Sequence, residues 1–343
     1  MPFTHKTDSL RFDSFNWSRY TINMALLRVD TVTIELGRRK KEPVRLLRDV
    51  SLTVSAGKTV AIVGESGSGK SLTARAILGL LPPDIRVVSG NITLDGHAIL
   101  SASPHELQTI RGGIGAMIFQ EPMTSLNPVL TIGNQISEVL TLHRQLPQQE
   151  HKNEMIQLLA SVGIPNPADR LGSYPHQLSG GMRQRVMIAM ALAGSPKLLI
   201  ADEPTTALDV TVARQILALI DQLRIEHHLS VLLITHDLGI IAERADQVQV
   251  MYAGMIVESG PVAEVLTSPW HPYTRGLLAA RPGNAPRGQR LSIIPGLPPR
   301  PDDIITGCPF APRCSEVQPE CLQSLPTITV NGDRTVRCVV LHA

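Results

Sequence analysis

Eight consecutive residues, Gly64-Glu65-Ser66-Gly67-Ser68-Gly69-Lys70-Ser71, match the G-x-x-x-x-G-K-S spacing that cradles a polyphosphate. The glycines let the backbone turn its N–H groups inward around phosphate oxygens, and a helix starting near Lys70 would aim its positive end at the same point. Lys70 is then placed to reach the β- and γ-phosphates. The Ser71 hydroxyl is a hard oxygen donor suited to Mg2+. Further along, the apolar run Leu198 to Ala201 ends in two acids, Asp202 and Glu203. Asp202 is expected to hold Mg2+ through its water shell, and Glu203, pointing the other way, to polarise a water for in-line attack on the γ-phosphate. Capping a helix N-terminus is the alternative use of either acid.

Those groups need elements to carry them. Strand-like runs cover Leu26 to Leu36, Val50 to Val54 and Thr59 to Val63, and the glycine loop follows the third directly. A helix is expected over Lys70 to Leu80, stopped by Pro82 and Pro83, with a further strand around Asn91 to Leu94. From Ile132 to about Val162 apolar residues recur at helical spacing, which reads as a helical insert. The second half alternates: helix Gly181 to Ala193, strand Lys197 to Ala201, helix Val212 to Arg224, strand Ser230 to Thr235. Strand and helix in turn imply a parallel sheet, so the fold class is α/β. The stripe of Val212, Ile216, Leu219, Ile220 and Leu223 is expected to be core.

Composition narrows the partners. Lys and Arg number 32 against 30 Asp and Glu, a net charge of +2, so no basic field exists to hold nucleic acid by charge alone. No run approaches the ~20 consecutive apolar residues of a membrane helix. Residues 1–23 lack the continuous apolar core of a signal peptide and read as a flexible arm or the product of start-site choice, with the cytoplasm as the default location. The basic run Arg38 to Lys41 reads as a solvated loop.

Further motifs carry a resemblance. Gln177 followed by Leu178-Ser179-Gly180-Gly181-Met182 resembles the signature of ATP-binding cassette (ABC) proteins. Gln120 is similar to the family's Q-loop glutamine, Ala207-Leu208-Asp209 to its D-loop and His236 to its switch histidine, all in family order. The resemblance implies a P-loop NTPase core with an antiparallel β subdomain over residues 24–260, and a helical subdomain over about 121–180. ATP and Mg2+ follow from it. Gln120 joins Ser71 and Asp202 as a metal-side group, and Gln120, Glu203 and His236 as the catalytic set. Ser179, Gly180, Gly181 and Asp209 are expected to meet the nucleotide of another cassette, head to tail, so a dimer is implied. One departure stands out: Leu36 occupies the place where the family stacks adenine on an aromatic ring.

Glu121 to Pro128, Tyr174 to Gln177 and His271 to Thr274 resemble the oligopeptide and dipeptide importer ATPases, whose relatives also import nickel. That implies an ATP-hydrolysing subunit on the cytoplasmic face of the inner membrane, a second and paralogous ATPase subunit, two permeases and an external substrate-binding protein. The region after Gln120 and the helical insert would form the groove for the permeases. A metal-chelate cargo, and more remotely a soluble cassette acting on nucleic acid or the translation machinery, are the rival readings; near-neutral charge and a single cassette oppose the latter.

Six prolines between Pro282 and Pro301 read as a linker into an extension, residues 261–343, that holds all four cysteines. Cys308, Cys314, Cys321 and Cys338 lack the paired C-x2-C knuckles of a zinc finger. In a chain placed in the cytosol they favour a bound metal or cluster over disulfides. The Gly307-Cys308-Pro309 start and Pro312-Arg313-Cys314 resemble a tail that bears a 4Fe–4S cluster in peptide-importer ATPases, leaving zinc and unligated or oxidised cysteines as the alternatives.

Overall fold

The computed structural model describes residues 25–38, 42–121, 125–144, 146–206, 208–281, 292–303 and 305–340. The expected N-terminal arm, Arg39 to Lys41, Pro122 to Thr124, Ala207 and the first part of the proline-rich linker lie outside the described residues. Strand β1 (Ala25–Leu36) buries Leu27, Val29, Val32 and Ile34, and lies between β2 (Val44–Ser55) and β4 (Ile85–Leu94) in an antiparallel sheet closed by the short β5 (His97–Ala98). Strands β2 and β4 run longer than the apolar runs within them. Arg45 and Arg86 are exposed there and Arg48 is half-buried, and the ladders to β1 hold segments that carry no apolar run.

Among the described residues the second sheet has eight strands in the order β11-β12-β10-β9-β3-β8-β7-β6, with β11 Thr329–Asn331 and β12 Arg334–Val336. Here β3 is Thr59–Val63, β6 Gly115–Ile118, β7 Leu198–Asp202, β8 Ser230–Ile234, β9 Gln247–Tyr252 and β10 Met255–Pro261. The run β6-β7-β8-β3-β9 is parallel, and every residue of β3, β7 and β8 is buried, in keeping with their largely apolar sequences. Because β3 adjoins β8 and β8 adjoins β7, the glycine loop, the Asp202-Glu203 pair and His236 leave the same edge of the sheet, where open α/β sheets bind ligands.

Helix α1 (Lys70–Ile77) stops three residues short of the expected end. Gly79 takes φ 65° and its N–H bonds Ala76 O, while Leu80 N–H reaches back to Arg75 O, the paired bonds of a glycine-terminated helix. Helix α2 (Pro104–Gly113) is opened by a reciprocal Ser103–Glu106 cap. The helical insert forms as α3 (Ile132–His143) and α4 (Gln148–Ser161), packed with α5 (Gly180–Ala193) around Ile136, Leu140, Leu159 and Ile188. The stripe of α6 (Val210–Glu226) places Ile216, Leu219, Ile220 and Leu223 in the same core. No helix among the described residues is long and apolar enough to cross a membrane.

The cysteine-bearing extension shares the sheet. Its hairpin, β11 (Thr329–Asn331) and β12 (Arg334–Val336), pairs through Val336 and Thr335 with Glu258 and Ser259 of β10. Glu258 is fully buried and accepts from Arg334 Nη2 (2.9 Å), Trp270 N–H (2.8 Å) and His271 N–H (2.9 Å). The Arg334 guanidinium lies 3.7 Å from the Trp270 ring centroid. A buried carboxylate demands this many donors, so this hairpin is locked to β10 at that edge of the sheet.

Candidate nucleotide site

The loop between β3 and α1 approaches its neighbours too closely for side chains at two positions. A Cβ on Gly64 would run into the Met251 carbonyl, and Gly69, at φ 108°, would meet Leu47 Cδ2. Lys70 is buried and its Nζ donates to Gly64 O (2.8 Å) and Glu65 O (2.9 Å), so the ammonium sits over the loop. Burial pulls its pKa below the usual lysine range, against the pull of Glu203, Asp202 and Glu65. Ser68 is 4% exposed, and among the described residues no partner reaches its Oγ. An orphaned hydroxyl inside a ring of glycine N–H groups fits a phosphate oxygen.

Ser71 Oγ donates to Asp202 Oδ1 at 2.9 Å, which puts the two expected Mg2+ holders side by side. Asp202 is 3% exposed, and burial pushes its carboxyl above the usual range. Glu203 stands at φ 45°, a strained backbone for a non-glycine residue, fixed by its N–H to Ile234 O (2.9 Å). Its Oε2 accepts from Thr206 Oγ1 (2.9 Å) and Gln120 Nε2 (3.1 Å) and lies 3.7 Å from His236 Nδ1. Gly64 to Ser71, Gln120, Asp202, Glu203 and His236 therefore form one cluster. A hard-oxygen group of Ser71, Asp202 and Gln120 fits Mg2+.

Ser179, Gly180, Gly181 and Asp209 do not join it. None lines the ≈ 300 Å³ pocket that holds Lys70 and Ser71. Ser179 Oγ accepts from Met182 N–H (3.3 Å) and caps α5, while Asp209 Oδ1 accepts from Thr211 and Val212 N–H and caps α6. Both residues are exposed, so these helix starts point to the outside.

A family model described as ABC transporter matches residues 47–206, and one described as oligopeptide/dipeptide transporter, C-terminal region, matches residues 257–321. The oligopeptide transport ATP-binding protein AppD of Bacillus subtilis is 48% identical over 302 residues, 88% of this chain and 92% of AppD. The chain belongs to the ATP-binding proteins of the oligopeptide/dipeptide ABC transporter family. This ABC ATPase is also 47% identical over 297 residues to the dipeptide transport ATP-binding protein DppD of Bacillus subtilis, covering 86% and 89% of the two chains. Among solved structures it is similar to the ATP-binding cassette MJ0796 in a dimeric post-hydrolysis state bound to ADP and Pi. There the TM-score is 0.61 at 27% identity, over 69% of this chain and 98% of that one.

Sequence reasoning missed how the extension of this ABC ATPase reaches the phosphate loop. Arg313 is buried and pairs bidentately with Glu65, Nη1 to Oε2 at 2.7 Å and Nη2 to Oε1 at 3.0 Å. Glu65 N–H donates to Tyr273 Oη (2.9 Å), on helix α7 (Pro272–Ala279), whose N-cap His271 accepts from Tyr273 N–H at Nδ1 (3.0 Å). Burial holds His271 down to about 3, which keeps the ring neutral. The His271 to Thr274 run was visible in the sequence, but its target 200 residues upstream was not. Arg313→Ala is expected to lower stability by about 2 kcal/mol, less than for a fully buried pair because Glu65 is partly exposed. It should also weaken ATP binding while kcat changes less, and Arg313→Lys should restore only part, since an ammonium cannot make the two-pronged contact. Denaturant melts and ATP titration check both.

The four cysteines converge. Cys308, Cys314, Cys321 and Cys338 line one recess of ≈ 10 Å³ beside His271 and Phe310, and all are free. Burial raises the thiols of Cys314 and Cys338 and pushes Cys308 up to about 11. Four thiols on one recess suit thiolate ligation, but the space is too small for a cluster as the side chains stand. Among the described residues no group of three or more His, Cys, Asp or Glu is set to hold a metal ion.

Proposed function

We propose that the chain powers import of di- or oligopeptides across the cytoplasmic membrane, as an ATP-hydrolysing subunit on its inner face. Residues 24–260 serve as the cassette and 261–343 as the importer-type extension. The observation that carries the peptide cargo is the match of the extension, residues 257–321, to the oligopeptide/dipeptide transporter type, together with relatives named for peptides over most of the chain. The exposed starts of α5 and α6 support a head-to-tail dimer in which Ser179, Gly180, Gly181 and Asp209 cap a nucleotide held by a second, paralogous ATPase subunit. An apolar cleft of ≈ 280 Å³ between Phe119, Leu126, Val139 and Met187 supports docking of two permeases, fed by an external binding protein.

In the reading favoured here, the loop N–H groups and Lys70 hold the β- and γ-phosphates of ATP, while Ser71, Asp202 and Gln120 would hold Mg2+. The ion, when bound, neutralises charge on the phosphate oxygens. Glu203 orients a water through one carboxylate oxygen. The water oxygen bonds to the γ-phosphorus, the bond from that phosphorus to the β–γ bridging oxygen breaks, and the proton of the water passes to Glu203, leaving ADP and phosphate. His236, whose side chain is 71% exposed, is placed to contact the γ-phosphoryl oxygens once a partner covers the site. A 4Fe–4S cluster with a structural role on Cys308, Cys314, Cys321 and Cys338 rests on the resemblance of the tail to cluster-bearing importer ATPases alone, and the thiols would have to spread to hold one.

Anaerobic purification of the chain from detergent-solubilised membranes tests this reading. Two multi-span permeases and a second cassette are expected to copurify, with absorbance at about 400 nm and matching iron and sulfide. Salt-sensitive RNA or DNA binding without permeases would sink the import reading; a colourless, iron-free preparation would sink the cluster alone.

A further inference from the structure

The base of a nucleotide with its phosphates on Lys70 needs a wall, and Leu36 does not supply it. Leu36 is held in the sheet by pairing with Val44 and Ile85 and does not line the pocket. The wall there comes from the extension: Pro299, Arg300, Pro301 and Ile305 line the same pocket as Lys70 and Ser71, together with Arg45 and Arg48 of β2. The segment is a built turn. Arg300 N–H donates to Asp303 Oδ2 (2.6 Å) and Asp303 N–H returns to Arg300 O (3.0 Å). Asp302 pairs with Arg38, two residues beyond Leu36, so the turn is pinned to the hairpin whose aromatic is missing.

We infer that Arg300, set between Pro299 and Pro301, is the platform on which this chain stacks the nucleotide base, in place of the aromatic side chain that Leu36 lacks. A guanidinium is planar, weakly hydrated and stacks on π-faces, and proline rings flanking it exclude water from the base edge. The extension thereby becomes part of the nucleotide site and a determinant of base affinity. This rests on the phosphate loop being the triphosphate site.

Equilibrium titration of the full chain with ATP and, separately, with inorganic tripolyphosphate tests it. Arg300→Ala is expected to weaken ATP binding about tenfold and to leave tripolyphosphate binding unchanged, because the probe without a base cannot feel the platform. Arg300→Tyr should recover most of the ATP affinity, and Arg300→Lys should not. Equal losses for both probes would mean Arg300 pairs with phosphate, and an unchanged ATP affinity, or no recovery with Tyr, would mean the base is held elsewhere; each overturns the proposal. Arg300 is exposed, so the substitutions do not open the core. A failure of the underlying site shows separately, as tripolyphosphate binding that survives Lys70→Ala.

Discussion

Glu203→Gln is expected to lower ATP turnover about a thousandfold while leaving nucleotide binding intact. The amide matches the carboxylate in shape and retains an oxygen to accept from Thr206 or Gln120, so the strained backbone at φ 45° is not released. What disappears is the proton acceptor. With ATP bound but not cleaved, the proposed head-to-tail dimer is expected to accumulate and to appear by size-exclusion chromatography only when ATP is present. Steady-state phosphate release measures the loss. Undiminished turnover would move the role of base to another group.

Lys70→Ala acts one step earlier. The buried ammonium is the one cation that the loop places over the phosphate position, and it is also the countercharge for Glu203, Asp202 and Glu65. Removing it deletes charge-assisted bonds worth about 3 kcal/mol, close to a hundredfold in Kd, and leaves Asp202 and Glu203 to repel the incoming triphosphate, since Glu65 keeps Arg313. ATP titration should therefore show binding itself collapse, in contrast to Glu203→Gln, where only turnover falls. A Kd within a factor of about two of the unaltered chain would show that the backbone N–H groups alone hold the anion.

The two substitutions separate holding from cutting, and the fold explains why they can be separated. Lys70 opens α1 after β3, whereas Glu203 follows β7, and the two strands are bridged by β8. The signature residues lie elsewhere, on the exposed start of α5, outside the pocket that holds Lys70 and Glu203.

By itself the sequence determined the parts whose chemistry is local. A glycine loop between an apolar strand and a helix can be read because the strand, the turn and the helix are contiguous. The acids at the end of β7 and His236 after β8 can be read for the same reason: each is fixed by the strand that immediately precedes it. The edges of α1, β2 and β4 were less legible, because Gly79 ends the helix through a backbone conformation, and ladder bonds lengthen strands that carry no apolar run. Only the tertiary structure decided that the cysteine-bearing extension touches the nucleotide site, through Arg313 on Glu65 and Arg300 in the pocket wall. Those contacts join residues more than 200 positions apart, and nothing in local spacing encodes them. They exist because Glu258 and Arg334 fasten the tail to the edge of the sheet, which sets where the intervening chain must run.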